Sequence, residues 1–323
     1  MIKYSFIIPV KEVNDYIRES IPKILEIARN DFEILIYPDS ASGESFDKTK
    51  VIETGKMGPA GKRSLAMRDA QGEILIFIDD DAYPKSDFLD ILEKDFDNTD
   101  VVAIGGPAIT PEDDGFWQKV SGAVYLSALS GGVPERYVSI GEKRFVDDWP
   151  SVNLSIRKDI FREIGGFDSE FWPGEDTKLC LDIIKLKKKI LCNPKLIVFH
   201  HRRKGLLRHL KQVAGYGLHR GFFIKKYPET SLKIKYLIPA FFFLFVVGGA
   251  IPSIFYQEIL WLYLLGWIIY SLALVKALLD ISRYEKNKLI VLNTTYYIFL
   301  THIVYGFRIW QGLLTKKLIS KLR

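Results

Sequence analysis

Asp79, Asp80 and Asp81 follow directly on the apolar run 73–78. Three adjacent carboxylates repel one another, so the cluster calls for a compensating cation. Alternate residues of an extended stretch point to one side, which lets Asp79 and Asp81 share one hard metal ion. The end of a central strand in an α/β sheet is also where such folds bind ligands. A plain acidic turn capping the next helix is the alternative for a bare Asp triplet; placement on this strand favours the metal. A second acidic pair, Glu175 and Asp176, stands at the start of a predicted helix, where complementing the helix dipole is reason enough for an acid. Lys62 and Arg63 fall on the first turn of another predicted helix, where exposure is the plain expectation. His200 and His201 open a basic run with Arg202, Arg203 and Lys204 that suits a membrane interface. Trp149 and Trp172 offer flat faces for stacking on a ligand, although large aromatics more often form core or wall.

Strands and helices must position these groups. Residues 5–10, 33–37, 50–53, 73–78 and 101–104 read as strands. Residues 16–29, 59–70 and 86–96 read as helices, with Pro59 near the first turn of one and Ser86 as N-cap of another. This alternation predicts a largely parallel sheet covered on both faces. Residues 111–144, rich in glycine and polar residues, predict a helix with mobile loops. A strand at 152–156, a helix at 158–164, an amphipathic helix at 175–187 and a last strand at 196–199 follow. Leu179, Ile183, Ile184 and Leu186 are expected to face inward.

The chain has 323 residues, 48% of them hydrophobic, and a formal net charge of +6. The average hides a split: beyond about residue 235, charges nearly vanish for long runs. Segments 236–256 and 259–280 predict a membrane hairpin, and 289–311 a third apolar segment that spans or lies at the interface. Residues 204–232 predict a basic interfacial linker. Basic clusters flank these segments, which points to anionic lipid headgroups rather than nucleic acid. Cys180 and Cys192 make no disulfide framework or zinc pattern and suit a reducing compartment. No signal peptide is visible, so the N-terminal domain is expected in the cytoplasm of a multi-pass cell-membrane protein.

The ordered series 6–10 (FIIPV), 38–40 (PDS), 58–63 (GPAGKR), 78–84 (IDDDAYP), 153–157 (NLSIR), 165–167 (GGF) and 174–176 (GED) resembles the family 2 glycosyltransferases over about residues 4–220. The resemblance implies an α/β fold of GT-A type with a mixed, mainly parallel sheet over 1–203, followed by membrane helices over 233–323. It implies a UDP- or GDP-linked sugar donor contacted by Pro9, Asp39, Lys62, Arg63, Asp79 and Asp80. The family usually has Asp-Asp-Gly-Ser where this chain has Pro38, Asp39, Ser40 and Ala41. It also implies a divalent cation, Mn2+ or Mg2+, held by Asp79, Asp81 and His200. Asp176 would be the general base, assisted by Glu175, and Trp149, Asn153 and Trp172 would contact the acceptor. No Gln-X-X-Arg-Trp motif occurs at 212–220, which argues against a processive polymerase.

The reading is an inverting transferase of cell-envelope polysaccharide synthesis, acting on a lipid-linked saccharide or polyprenyl phosphate. Homo-oligomerisation is compatible with it. An inactive sugar- or lipid-binding subunit is the alternative, and retention of both acidic pairs speaks against it. A sugar nucleotidyltransferase would need a glycine-rich loop after the first strand, and 11–15 has no glycine. Two or three spans offer little for a transport pathway.

Overall fold

The computed structural model describes residues 1–167 and 171–318. Residues 319–323, the end of the basic C-terminal stretch, lie outside the described residues. The chain falls into two compact units, 1–111 with 138–201 and 112–137 with 202–318.

In chain order the first unit contains β1 (Tyr4–Pro9), α1 (Asp15–Leu25), β2 (Phe32–Tyr37), β3 (Thr49–Val51), α2 (Pro59–Ser64), α3 (Ala66–Asp69), β4 (Ile74–Phe77), β5 (Ala82–Pro84), α4 (Phe88–Phe96), β6 (Val101–Gly105) and β7 (Ala108–Ile109). After α5 (Phe116–Ala123), which belongs to the second unit, come β8 (Arg144–Val146), β9 (Leu154–Arg157), α6 (Lys158–Glu163), α7 (Glu175–Lys185), β10 (Lys189–Cys192) and β11 (Val198–His200). The main sheet has the order β3-β2-β1-β4-β9-β6-β10-β8. Its first four strands are parallel, and β9 enters antiparallel to both β4 and β6.

Strands β1, β2, β4 and β6 are buried along their whole length. That is why they read as unbroken apolar runs: both faces are covered. Alternate residues feed two cores. Phe6 and Ile8 join Ile17, Ile21 and Ile24 of α1 on one face. Ile7, Leu75 and Phe77 join Phe161, Leu179 and Ile183 on the other.

Three local expectations differ. The 59–70 helix breaks into α2 and α3 at Leu65. Helix α4 starts at Phe88, so Asp87 rather than Ser86 occupies the N-cap, with no side-chain cap bond. Ile184 and Leu186 are 38% and 36% exposed, because the inward apolar face of α7 is made by Leu179, Cys180, Leu181 and Ile183.

The second unit adds α8 (Leu206–Lys226), α9 (Pro228–Ser231), α10 (Ile234–Ala250), α11 (Pro252–Phe255), α12 (Gln257–Ile281) and α13 (Lys288–Leu314). Three stretches, Ile234–Phe255, Gln257–Ile281 and Lys288–Leu314, are long and apolar enough to cross a membrane. Val120, Ala123 and Val124 pack with Ala277, Ile281 and Ile290, which draws 112–137 into this unit. Helices α8 and α13 meet closely: a Cβ on Gly221 would sit 2.1 Å from the Ile309 carbonyl oxygen, and one on Gly312 2.1 Å from that of Leu218. Small residues at such crossings let backbones approach.

Candidate active site

The site lies at the C-terminal ends of the parallel strands. The chain turns sharply after β4, with the Ala82 N–H donating to the Asp79 carbonyl at 3.2 Å. The three-stranded sheet β5-β11-β7 then sets His200 opposite Ala82. The His201 N–H donates to the Asp81 carbonyl at 2.9 Å, which locks that register. The result is His200 Nε2 at 3.1 Å from Asp81 Oδ1. Asp79, Asp81 and His200 each offer one ligand atom, all within 4.8 Å of one another. Two carboxylate oxygens and an imidazole nitrogen are a fitting donor set for a divalent cation such as Mn2+. The neighbouring His201 is committed elsewhere: its Nε2 lies 3.1 Å from Glu19 Oε1, and its ring packs on Tyr16.

Lys62 and Arg63 are each only 3% exposed, contrary to the plain expectation for a first helical turn. Lys62 Nζ donates to the Val10 carbonyl at 2.5 Å and to Asp39, whose own N–H is held by the Lys11 carbonyl. Arg63 bridges two acids, donating from Nη2 to Asp79 at 2.6 Å and from Nη1 to Glu175 at 2.9 Å. Glu175 is 5% exposed. Burial pushes its carboxyl up to about 7; Arg63 opposes the rise, and Asp176 and Asp79 add to it.

Asp176 is half-buried in the first turn of α7, which begins after Gly174 at φ +116°. Its carboxylate accepts from the Thr177 N–H at 2.7 Å and the Ser151 N–H at 3.3 Å. Trp172 is half-buried just ahead of this turn. Asp80 points to α1, accepting from Asn14 Nδ2 at 2.7 Å. Pro9 is buried at the end of β1.

Two residues expected at the acceptor are buried. Trp149 is 1% exposed; its indole N–H donates to the Gly106 carbonyl at 3.0 Å, and its ring fills the space over Gly105. Asn153 is 0% exposed and donates to the carbonyls of Pro107 and Leu196. The Trp149 indole N–H and the Asn153 amide N–H groups hold the 105–107 turn, and both residues are buried. Asn14 was missed. It both caps α1, accepting from the Ile17 N–H, and reaches Asp80. Its only sequence signal is an Asn just before a helix.

The sequence profile of Glycosyl transferase family 2 matches residues 5–165. The chain is 24% identical over 280 residues to the dolichyl N-acetyl-α-D-glucosaminyl phosphate 3-β-D-2,3-diacetamido-2,3-dideoxy-β-D-glucuronosyltransferase of Methanococcus voltae, covering 79% of this chain and 85% of that one. It is 27% identical over 160 residues to the pre-mycofactocin glycosyltransferase of Mycobacterium tuberculosis, covering 50% and 33%. Among solved structures it resembles the mannosyltransferase of Pyrobaculum calidifontis in complex with GDP-Man and Mn2+, with TM-score 0.54, 15% identity and coverage of 98% and 88%. The fold is therefore of GT-A type with three added apolar helices, and the chain belongs to family 2 of the glycosyltransferases and is a glycosyltransferase.

Proposed function

We propose that the enzyme moves a sugar, with inversion, from a UDP- or GDP-linked donor to a lipid-linked acceptor at a membrane, with its catalytic unit cytoplasmic. The observation that carries this reading is the convergence of Asp79, Asp81 and His200 at the strand ends. The names of two similar proteins support it: one specifies a dolichyl-linked sugar phosphate, the other GDP-Man and Mn2+.

The acceptor oxygen forms a bond to the anomeric carbon on the face opposite the leaving group. The bond from that carbon to the nucleoside diphosphate breaks, and its electron pair stays on the β-phosphate oxygen. One displacement inverts the centre. Bound by Asp79, Asp81 and His200, a divalent cation would neutralise charge on the leaving diphosphate. A hydroxyl acceptor gives its proton to Asp176, whose carboxylate the Ser151 and Thr177 N–H groups hold in place. A lipid phosphate acceptor has no proton to give. Glu175, paired with Arg63, acts as a positioning residue for Arg63 and Asp79.

The test is sugar transfer by full-length protein in detergent, across UDP- and GDP-sugars, with Mn2+ or EDTA. Metal-dependent turnover of one donor, lost in Asp81→Ala, is expected. Retained activity in Asp176→Asn would identify a phosphate acceptor. Turnover unaffected by both EDTA and Asp81→Ala would sink the metal-dependent reading.

A further inference from the structure

The helical unit contains a polar cluster that the transfer step leaves unused. Tyr125 sits on the 3-10 turn Val124–Leu126 and is 8% exposed. Its phenol oxygen is buried without a hydrogen-bond partner among the described residues. Burial pushes its ionisation well above the ordinary phenol range, and Tyr137 and Tyr216 add to the shift. The hydroxyl therefore keeps its proton and is a donor. A buried donor with no acceptor is rare and asks for an explanation.

Its surroundings are cationic. Arg202 and Arg203 both act electrostatically on that phenol. Arg202 is itself 8% exposed, and its guanidinium lies 5.2 Å over the Tyr137 ring, which stacks on Tyr125 at 4.5 Å. The Arg202 N–H is tied to Asp114 Oδ2 at 3.0 Å, so its backbone is fixed where the side chain meets the cluster. Asp114 is also bonded to Gln118, 3.0 Å from its Nε2. Arginine forks and a phenol O–H together match phosphate oxygens. The same unit carries the three apolar helices, which suit an anion attached to a lipid chain.

We propose that Tyr125, Arg202 and Arg203 form a binding site for the phosphate of a lipid-borne phosphate ester. The proposal rests on the lipid-linked acceptor reading only for the identity of the lipid.

Full-length protein in phosphatidylcholine nanodiscs is titrated with a short-chain polyprenyl phosphate, with phosphatidic acid and with inorganic phosphate. Tyr125→Phe is expected to weaken lipid-phosphate binding about tenfold, and Arg203→Gln by at least as much. Nucleotide-sugar binding stays at the wild-type level in both. The Tm of Tyr125→Phe without lipid is unchanged or higher, since an orphan donor has been removed; a structural hydroxyl would give a lower one. Tighter binding of polyprenyl phosphate names the acceptor as the source, and equal binding of phosphatidic acid names the bilayer; both sustain the site. Wild-type affinity for both lipids in Tyr125→Phe and Arg203→Gln overturns it, as does equally tight binding of inorganic phosphate. Lipid binding lost in the variants, with no transfer by the wild type, would keep this site and sink the transferase acceptor. Robust transfer with lipid binding unchanged in the variants would sink this site alone.

Discussion

Each unit holds a buried titratable cluster, one ionic and one neutral. The catalytic unit encloses Lys62, Arg63, Asp81 and Glu175 at 3–5% exposure, and its short-range contacts are ionic. The helical unit encloses His209 at 0% exposure among neutral partners: Ser121 Oγ lies 2.8 Å from Nδ1 and Thr301 Oγ1 2.9 Å from Nε2. Burial drives that imidazole down to about 4, so it stays neutral. A buried ion network rarely stabilises a fold relative to a well-packed apolar one. On the proposed function, the charges kept at the strand ends serve a charged ligand, whereas the neutral triad joins α5, α8 and α13. The comparison predicts that removing a carboxylate in the first unit abolishes activity with the fold intact, whereas breaking the neutral triad in the second lowers stability and leaves donor binding intact.

The largest effect is expected at the carboxylates. Asp79→Ala and Asp81→Ala should each lower kcat by about a thousandfold or more while circular dichroism stays native, because they remove charge stabilisation of the leaving group. Arg63→Gln comes next. It leaves Glu175 and Asp79 without their shared cation, at a cost of about 3–5 kcal/mol, together with loss of transfer. The pair Arg63→Met with Glu175→Leu should recover most of the lost stability and none of the activity. Recovery of activity with stability would break the comparison.

Legibility followed the physics of each feature. The strand cores were readable because burial on both faces leaves unbroken apolar runs such as 74–78. The Asp triplet was readable because acids at the end of such a run are conspicuous. The meeting of His200 with Asp81 has no local signature: it depends on pairing between β5 and β11, three residues each. The resemblance supplied that histidine; the spacing did not. Trp149 and Asn153 are residue types that suit both ligand contact and internal bracing, and only burial separates the two uses. Residues 112–137 join the helical unit through distant apolar contacts such as those to Ala277 and Ile290, which no local pattern records.

The neutral triad gives a middle-sized effect. His209→Leu strands the Ser121 and Thr301 hydroxyls and should cost about 2–4 kcal/mol, read as a lower Tm in detergent. Donor binding should change less than twofold. His209→Gln, which can still hydrogen-bond, should recover part of the loss. A His209→Leu protein with native Tm would remove the triad as a joint between the helices.

The smallest effect is in the pH dependence of stability, where the two units should pull against each other. Glu175 has a folded value raised to about 7 from the ordinary 4.5, so the native state holds its proton where the unfolded chain has released it. Its contribution is full below about 4.5 and is lost as pH rises towards 7. His209 is lowered from 6.5 to about 4, so the unfolded chain takes up the proton first. Its contribution is full above 6.5 and is lost as pH falls towards 4. Each slope is at most about 1.4 kcal/mol per pH unit, so between pH 4.5 and 6.5 they largely cancel. Thermal unfolding of the wild type across that window should therefore be nearly flat from these two groups. Glu175→Gln should tilt the profile towards greater stability at higher pH, and His209→Gln should tilt it the other way. Parallel shifts of both profiles, with no change of slope, would mean that neither group is held in the unusual protonation state its burial implies.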